Sequence, residues 1–193
     1  MNAPLIRRAK LSDAQAVAKV HVTSWQIAYQ GLVAQSTLDA LDITQRAQGW
    51  AEWIESSIVE RQTGNTHGDQ HQLLVAEIHG SVVGWVTFGA GRMNELAHLG
   101  EIAGLYVLPE FWSMGIGHAL ILRVQQDFLA GGWMDAYLWV LKGNIRAIRF
   151  YEGHGWFPDG VEKITKSTDN ESLSQVRYTK QLGISLRKRP ADC

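Results

Sequence analysis

Near residue 63 the hydrophobic pattern changes period, and this restricts the fold more than any other feature of the 193-residue chain. Before that point the chain reads as one short strand followed by helices. Leu5 to Arg8 is the strand; Ala16, Val17, Val20, Thr23 and Ser24 then mark one helical face, which Trp25 and Tyr29 extend. Ser12 and Gln15 are spaced as a capping box opening that helix. Thr44 to Gln62 reads as a second amphipathic helix, and the polar stretch Thr63 to Gln72 as a loop. Beyond it the period approaches two. Leu73 to Ile78 and Val82 to Phe88 flank His79, Gly80 and Ser81 as a hairpin. Leu99 to Val107 is a third strand ended by Pro109, Gly115 to Ala130 a helix stopped by Gly131 and Gly132, and Ala136 to Leu141 a buried strand. Asn144 to Glu152 is a short helix, and Trp156 to Lys163 and Ser174 to Gln181 close the pattern. The order β, helices, β, β, β, α, β, α, β, β predicts a single α/β or α+β domain around a mixed sheet. That domain is expected over 1–183, leaving 184–193 as a basic, disordered tail.

Composition removes several classes of function. The lone cysteine, Cys193, excludes a disulfide framework and a cysteine zinc site, and fits a reducing compartment. His21, His98, His118 and His154 are scattered without metal spacing, and His67 and His71 read as solvated in the polar loop. A formal charge of −1 argues against nucleic acid or an anionic membrane as partner. No apolar run reaches the length of a membrane span, and the first ten residues lack a signal-peptide core, so a cytoplasmic protein is expected.

Fourteen of the 19 glycines fall between Gly80 and Gly160, and two of them, Gly115 and Gly117, open a helix directly after a strand and a turn. Helix N-termini lacking side chains offer backbone N–H groups and the positive end of the helix dipole to phosphate. The same pair also suits a plain turn with close helix packing. A phosphate-binding loop of the Walker type would require Lys where His118 stands, and a dinucleotide fingerprint would require a third glycine at Leu120. A nucleotide-binding α/β domain is therefore disfavoured.

Leu105, Tyr106, Val107, Leu108, Pro109, Gly115, Ile116 and Gly117 resemble, in order, motif A of the GNAT superfamily of N-acetyltransferases. Asn144, Ala147, Phe150, Tyr151, Gly155 and Phe157 are similar to its motif B, and Ile6 to Asp13 with Trp25, Tyr29 and Gly31 to the opening of many small-molecule members. The resemblance covers most of residues 5–182. It implies a mostly antiparallel central sheet flanked by helices, and acetyl-CoA as co-substrate. The implied reaction is direct acetyl transfer to an amine of a small molecule or peptide, without metal or covalent enzyme intermediate. A CoA-binding or interaction module of the same fold that has lost catalysis is the alternative. A homodimer stays open.

The resemblance also implies roles. Leu105, Tyr106, Val107, Trp112, Ser113, Met114, Gly115, Ile116, Gly117, His118 and Asn144 are the expected CoA-binding residues. Trp112, Ser113 and Met114 stand where the family favours Gln or Arg and glycine, so charge complementarity to pyrophosphate is expected to be weak; Trp112 either covers the ligand or packs on the helix. Tyr151 is the expected acid, since a phenol near pKa 10 can protonate a thiolate near 8.5; otherwise it closes its helix on the core. Glu101 is either a solvated strand-end glutamate or a base whose pKa a half-buried strand would raise. Gly104 inside a strand signals a bulge that would expose an oxyanion-binding N–H. Asn144 is an N-cap, a CoA contact or both. Trp25 and Tyr29 from the first helix, and Trp85 and Trp139 from strands, are each either acceptor-pocket or core residues, with Trp25, Tyr29 and Trp139 the leading pocket candidates.

Overall fold

The structure, a computed structural model, describes residues 3–63, 71–166 and 172–183. The predicted loop at Thr63 to Gln72 falls largely outside these residues, and the expected tail wholly so. The strands are β1 (Leu5–Arg8), β2 (Gln72–Ile78), β3 (Ser81–Ala90), β4 (Gly100–Val107), β5 (Asp135–Leu141), β6 (Phe157–Lys166) and β7 (Ser172–Gln181). The helices are α1 (Ala14–Ala28), α2 (Gln35–Asp39), α3 (Ile43–Thr63), α4 (Ile116–Ala130) and α5 (Ile145–Glu152). One sheet holds the strands in the order β1-β2-β3-β4-β5-β7-β6. Every neighbouring pair is antiparallel except β4 with β5.

The alternation of side chains along β3 sorts the helices onto two faces. Trp85 meets His21 of α1 and Trp50 of α3, with ring centroids 5.4 and 4.9 Å away. Phe88, an odd number of residues on, points to the other side and packs edge-on against Phe128 of α4 at 5.5 Å. Phe128, Leu120, Ile121 and Val124, all fully buried, form the α4 half of the core. Pro158 is tolerated in β6 because that strand is an edge, and its register with β7 shifts between Pro158 and Glu162.

Two local expectations need correction. Asp13, not Ser12, organises the entry to α1: its carboxylate accepts the Lys10 N–H at 2.7 Å and is held by the Arg7 guanidinium at 2.7 and 3.0 Å. Ser12 instead sits inside a 3-10 turn, Leu11–Asp13, where its side chain does not cap. The five-residue α2 is also additional, being too short for a helical period to show.

Candidate functional site

The site is built on β4. Beside β5 this strand is paired only from Gly100 to Ile102, after which β5 continues alongside β7 and the two parallel strands part. At the parting point β4 bulges: Thr87 opposes Gly104 and Phe88 opposes Ile102, so Ala103 is the extra residue. Ala103 is exposed although it lies in the middle of a central strand. Leu108 N–H donates to Val83 of β3, so by alternation the N–H and C=O groups of Val107 and Leu105 face the opened edge. The Val107 carbonyl there accepts Ser24 Oγ at 3.0 Å and Trp112 Nε1 at 2.7 Å.

A cavity of about 710 Å³ fills this opening. Leu105, Tyr106, Val107, Trp112, Ser113, Gly115, Ile116, Gly117, His118, Asn144 and Tyr151 line it, together with Tyr29 and Trp139. Of the expected CoA residues only Met114 is missing, being packed against the core. Gly115 caps α4 at φ +80°, a backbone conformation that glycine adopts without strain. Gly117 serves close packing as well as the cavity wall, since a Cβ there would stand 3.1 Å from the Phe150 ring. Asn144 caps α5 by accepting the Ala147 N–H at 3.1 Å, and its amide nitrogen remains for the cavity. Burial pushes the Tyr151 phenol well above 10, so it keeps its proton at neutral pH.

The expected weakness of positive charge is corrected by α5. Arg146 and Arg149 line the same cavity, and the Arg146 guanidinium stacks 3.8 Å over the Trp112 ring. Trp112 is thus both hydrogen-bonded under the strand end and covered by a cation. At the rim His154 donates Nδ1–H to the Phe150 carbonyl at 2.6 Å, which leaves its Nε2 to accept His118 Nδ1–H at 2.9 Å when both rings are neutral. Sequence reasoning passed over both arginines, although they lie between Asn144 and Tyr151 in the motif that was read.

Glu101 differs most from expectation. It is 2% exposed, and its carboxylate accepts Arg92 Nη2 at 2.6 Å, Arg92 Nε at 3.1 Å and the Arg92 backbone N–H at 2.9 Å. Desolvation would raise its pKa, but those Arg92 bonds outweigh it and hold the carboxyl below its usual range. A raised pKa suited to a base is therefore not what this environment produces. His71, expected to be solvated, is instead buried: it donates Nε2–H to the Ala90 carbonyl at 2.9 Å, leaving Nδ1 with its lone pair, and burial lowers its pKa.

Across the bulge, on the α1 and α3 side of the sheet, lies a second cavity of about 1180 Å³. His21, Trp25, Trp50, Trp53, Trp85 and Tyr106 form its aromatic wall, and Arg46, Asp42, His71 and Arg92 bring polar groups to it. Of the leading acceptor candidates Trp25 lies here, as does Trp85, whereas Tyr29 and Trp139 belong to the first cavity. Trp50 Nε1 donates to His21 Nδ1 at 3.3 Å, and burial among the rings pushes the His21 pKa down to about 3. Its proton therefore sits on Nε2. Ala103, Gly104 and Tyr106 border both cavities, so the bulge lies between the two spaces. Among the described residues no three His, Cys, Asp or Glu side chains gather as a metal site requires, and no helix is long and apolar enough to cross a membrane.

Residues 37–156 match the acetyltransferase (GNAT) family. An uncharacterized N-acetyltransferase of Archaeoglobus fulgidus is 32% identical over 148 residues, 76% of this chain and 88% of that protein. YuaI of Bacillus subtilis, an uncharacterized N-acetyltransferase, is 27% identical over 179 residues, 93% of this chain and 90% of its own. The fold is similar to that of PaiA N-acetyltransferase from Thermoplasma acidophilum in complex with coenzyme A. The TM-score is 0.68 at 19% identity, with 93% of this chain and 99% of that one covered.

Proposed function

The chain belongs to the GNAT acetyltransferase family, and from that premise we propose that it transfers acetyl from acetyl-CoA directly to the amine of a small molecule or peptide. The observation that carries this reading is the parting of β4 from β5 beside a bulge that opens to both cavities. The residues present fit acetyl-CoA: an unpaired strand edge for an amide-bearing chain, a glycine-opened helix for phosphate, and two arginines. Acetyl-CoA supplies the activated thioester. Val107 and Leu105 turn N–H groups to the opened edge, where they can donate to a developing oxyanion. Tyr151 holds a proton for the departing sulfur. Gly115 and Gly117 leave the α4 amides accessible, and Arg146 and Arg149 bring positive charge to the same cavity.

Amine deprotonation is assigned to His71 and not to Glu101. His71 borders the second cavity with an Nδ1 lone pair that has no partner among the described residues, whereas Arg92 occupies the Glu101 carboxylate. Glu101 is read as the group that fixes Arg92. Nothing in the site offers an activated nucleophile for a covalent route among the described residues, so a single displacement is expected. The test is thiol release from acetyl-CoA across an amine panel, with initial rates at varied concentrations of both substrates. Intersecting double-reciprocal lines support direct transfer, whereas parallel lines would overturn it.

A further inference from the structure

The second cavity carries chemical information about the acceptor beyond its being an amine. Its wall is aromatic on three elements: Trp25 from α1, Trp50 and Trp53 from α3, and Trp85 from β3. Trp50 stands edge-on to Trp53 at 5.9 Å and to Trp85 at 4.9 Å, which makes a continuous corner of indoles. Such a surface favours a flat, apolar body over a flexible aliphatic chain.

The charges narrow the choice. Among the described residues Asp42 is the acidic residue bordering this cavity, and its Oδ1 already accepts the Gln45 N–H at 2.6 Å where α3 begins. Arg92 is matched by Glu101. His21 and His71 are held neutral. Arg46 remains: it borders the cavity four residues before Trp50, on the same face of α3, and makes no ion pair among the described residues. A polyamine would require several carboxylates and would meet an unmatched guanidinium instead. A carboxylate would be received in the bidentate geometry that guanidinium offers.

Resting on the acyl-transfer reading above, we infer that the acceptor is an aliphatic amine that carries both an aromatic ring and a carboxylate: an aromatic amino acid or a dipeptide that begins with one. Its ring lies along Trp50 and Trp53, its carboxylate pairs with Arg46, and its amine is presented at Ala103 and Gly104, which border both cavities. The volume of about 1180 Å³ holds the second residue of a dipeptide as readily as the first. In the transfer an N–C bond forms, the C–S bond breaks, one proton leaves the amine nitrogen and one goes to sulfur, so no further reactant is needed.

The experiment is thiol release from acetyl-CoA with L-phenylalanine, phenylalanyl-glycine, phenethylamine, spermidine and glycine, each with the unaltered chain and with Arg46→Met. Arg46 is exposed on α3, so the variant is expected to fold. The inference requires kcat/KM for phenylalanine or its dipeptide to exceed that for phenethylamine by about tenfold or more, and Arg46→Met to bring that ratio towards one. It is overturned if phenethylamine matches phenylalanine, if spermidine is the best acceptor, or if Arg46→Met lowers both rates equally. Turnover of spermidine or glycine alone overturns only this inference. Binding of CoA without thiol release for any amine overturns the acyl-transfer reading as well.

Discussion

Replacing Arg146 by Met removes the cation best placed to meet a phosphate while keeping an apolar stem over Trp112. The guanidinium carbon lies 3.8 Å from the centre of that ring, so its position is fixed before any ligand arrives and little ordering entropy opposes a contact. A phosphate charge about 4 Å from it would gain about 4 kcal/mol at an effective dielectric near 20. Desolvation and salt reduce this to the net value of a charged hydrogen bond, about 1.5–3 kcal/mol. The expected weakening of CoA binding is therefore about 10- to 150-fold. Arg149→Met should act similarly, and the double variant should fall short of the product if both cations hold one phosphate. Titration calorimetry with CoA and with dephospho-CoA, at low and at raised salt, measures this without any acceptor. If the variant loses affinity for both ligands equally, the contact is to pyrophosphate; if for CoA alone, to the 3′-phosphate. A change of less than about twofold at low salt would refute the reasoning, because steering by a fixed cation cannot be so small there.

Three further outcomes are expected. Tyr151→Phe should lower kcat about 100-fold with KM for acetyl-CoA little changed, at the lower end for a proton donor because a thiolate is already a fair leaving group; a loss of less than about threefold would remove the acid role. His21 has its folded pKa lowered to about 3, so the unfolded chain takes up a proton first as pH falls through 6.5. Stability should be full above that pH and decline below it by about 1.4 kcal/mol per pH unit from this one group. Denaturant titrations should show a shallower slope in His21→Gln, and equal slopes would contradict a buried neutral imidazole. Phe128→Ala empties a fully buried position against Phe88 and Trp133 and should cost about 3–5 kcal/mol in the same denaturant experiment, with unfolding still in one transition.

Local patterns carried the scaffold. The alternation in Leu73 to Ile78 and Val82 to Phe88 and the stops at Gly131 and Gly132 are properties of neighbouring residues, and the strands and helices they mark lie where expected within a few positions. Gly104 as a bulge signal was off by one residue, because a bulge is shared by two neighbours and the extra one here is Ala103. The electrostatics of the site were not legible in the same way. Glu101 was expected to be a raised carboxyl because nothing in its own strand neutralises it; Arg92 reaches it across the turn between β3 and β4, a pairing that only the fold creates. His71 was misread for the same reason, since its polar flank suggested water while its imidazole is only 8% exposed, bonded to the Ala90 carbonyl of β3 and close to Glu101 of β4. Arg46, Trp50 and Trp53 could have been found: their spacings of four and three place them on one face of the predicted helix, and a face that mixes arginine with two tryptophans is unusual for plain packing.

The bulge explains why one strand can serve two ligands on opposite sides of a sheet. A regular strand between two neighbours has both edges hydrogen-bonded and both faces covered, so it has no surface left for chemistry. Dropping β5 after Ile102 frees one edge for an amide-bearing chain. Inserting Ala103 bends β4 and exposes a residue without side-chain bulk at the point of parting. In the proposed transfer a donor lying along the freed edge and an acceptor under the indoles approach the same two or three residues from different sides. Tyr106 packs against the core and also borders both spaces, and its phenol, hydrogen-bonded to Tyr29 at 3.1 Å, stands between them. A side chain larger than alanine at position 103, which borders both cavities, is expected to obstruct presentation of the amine, so that thiol release from acetyl-CoA falls by more than CoA affinity read by titration calorimetry; equal losses would contradict this role.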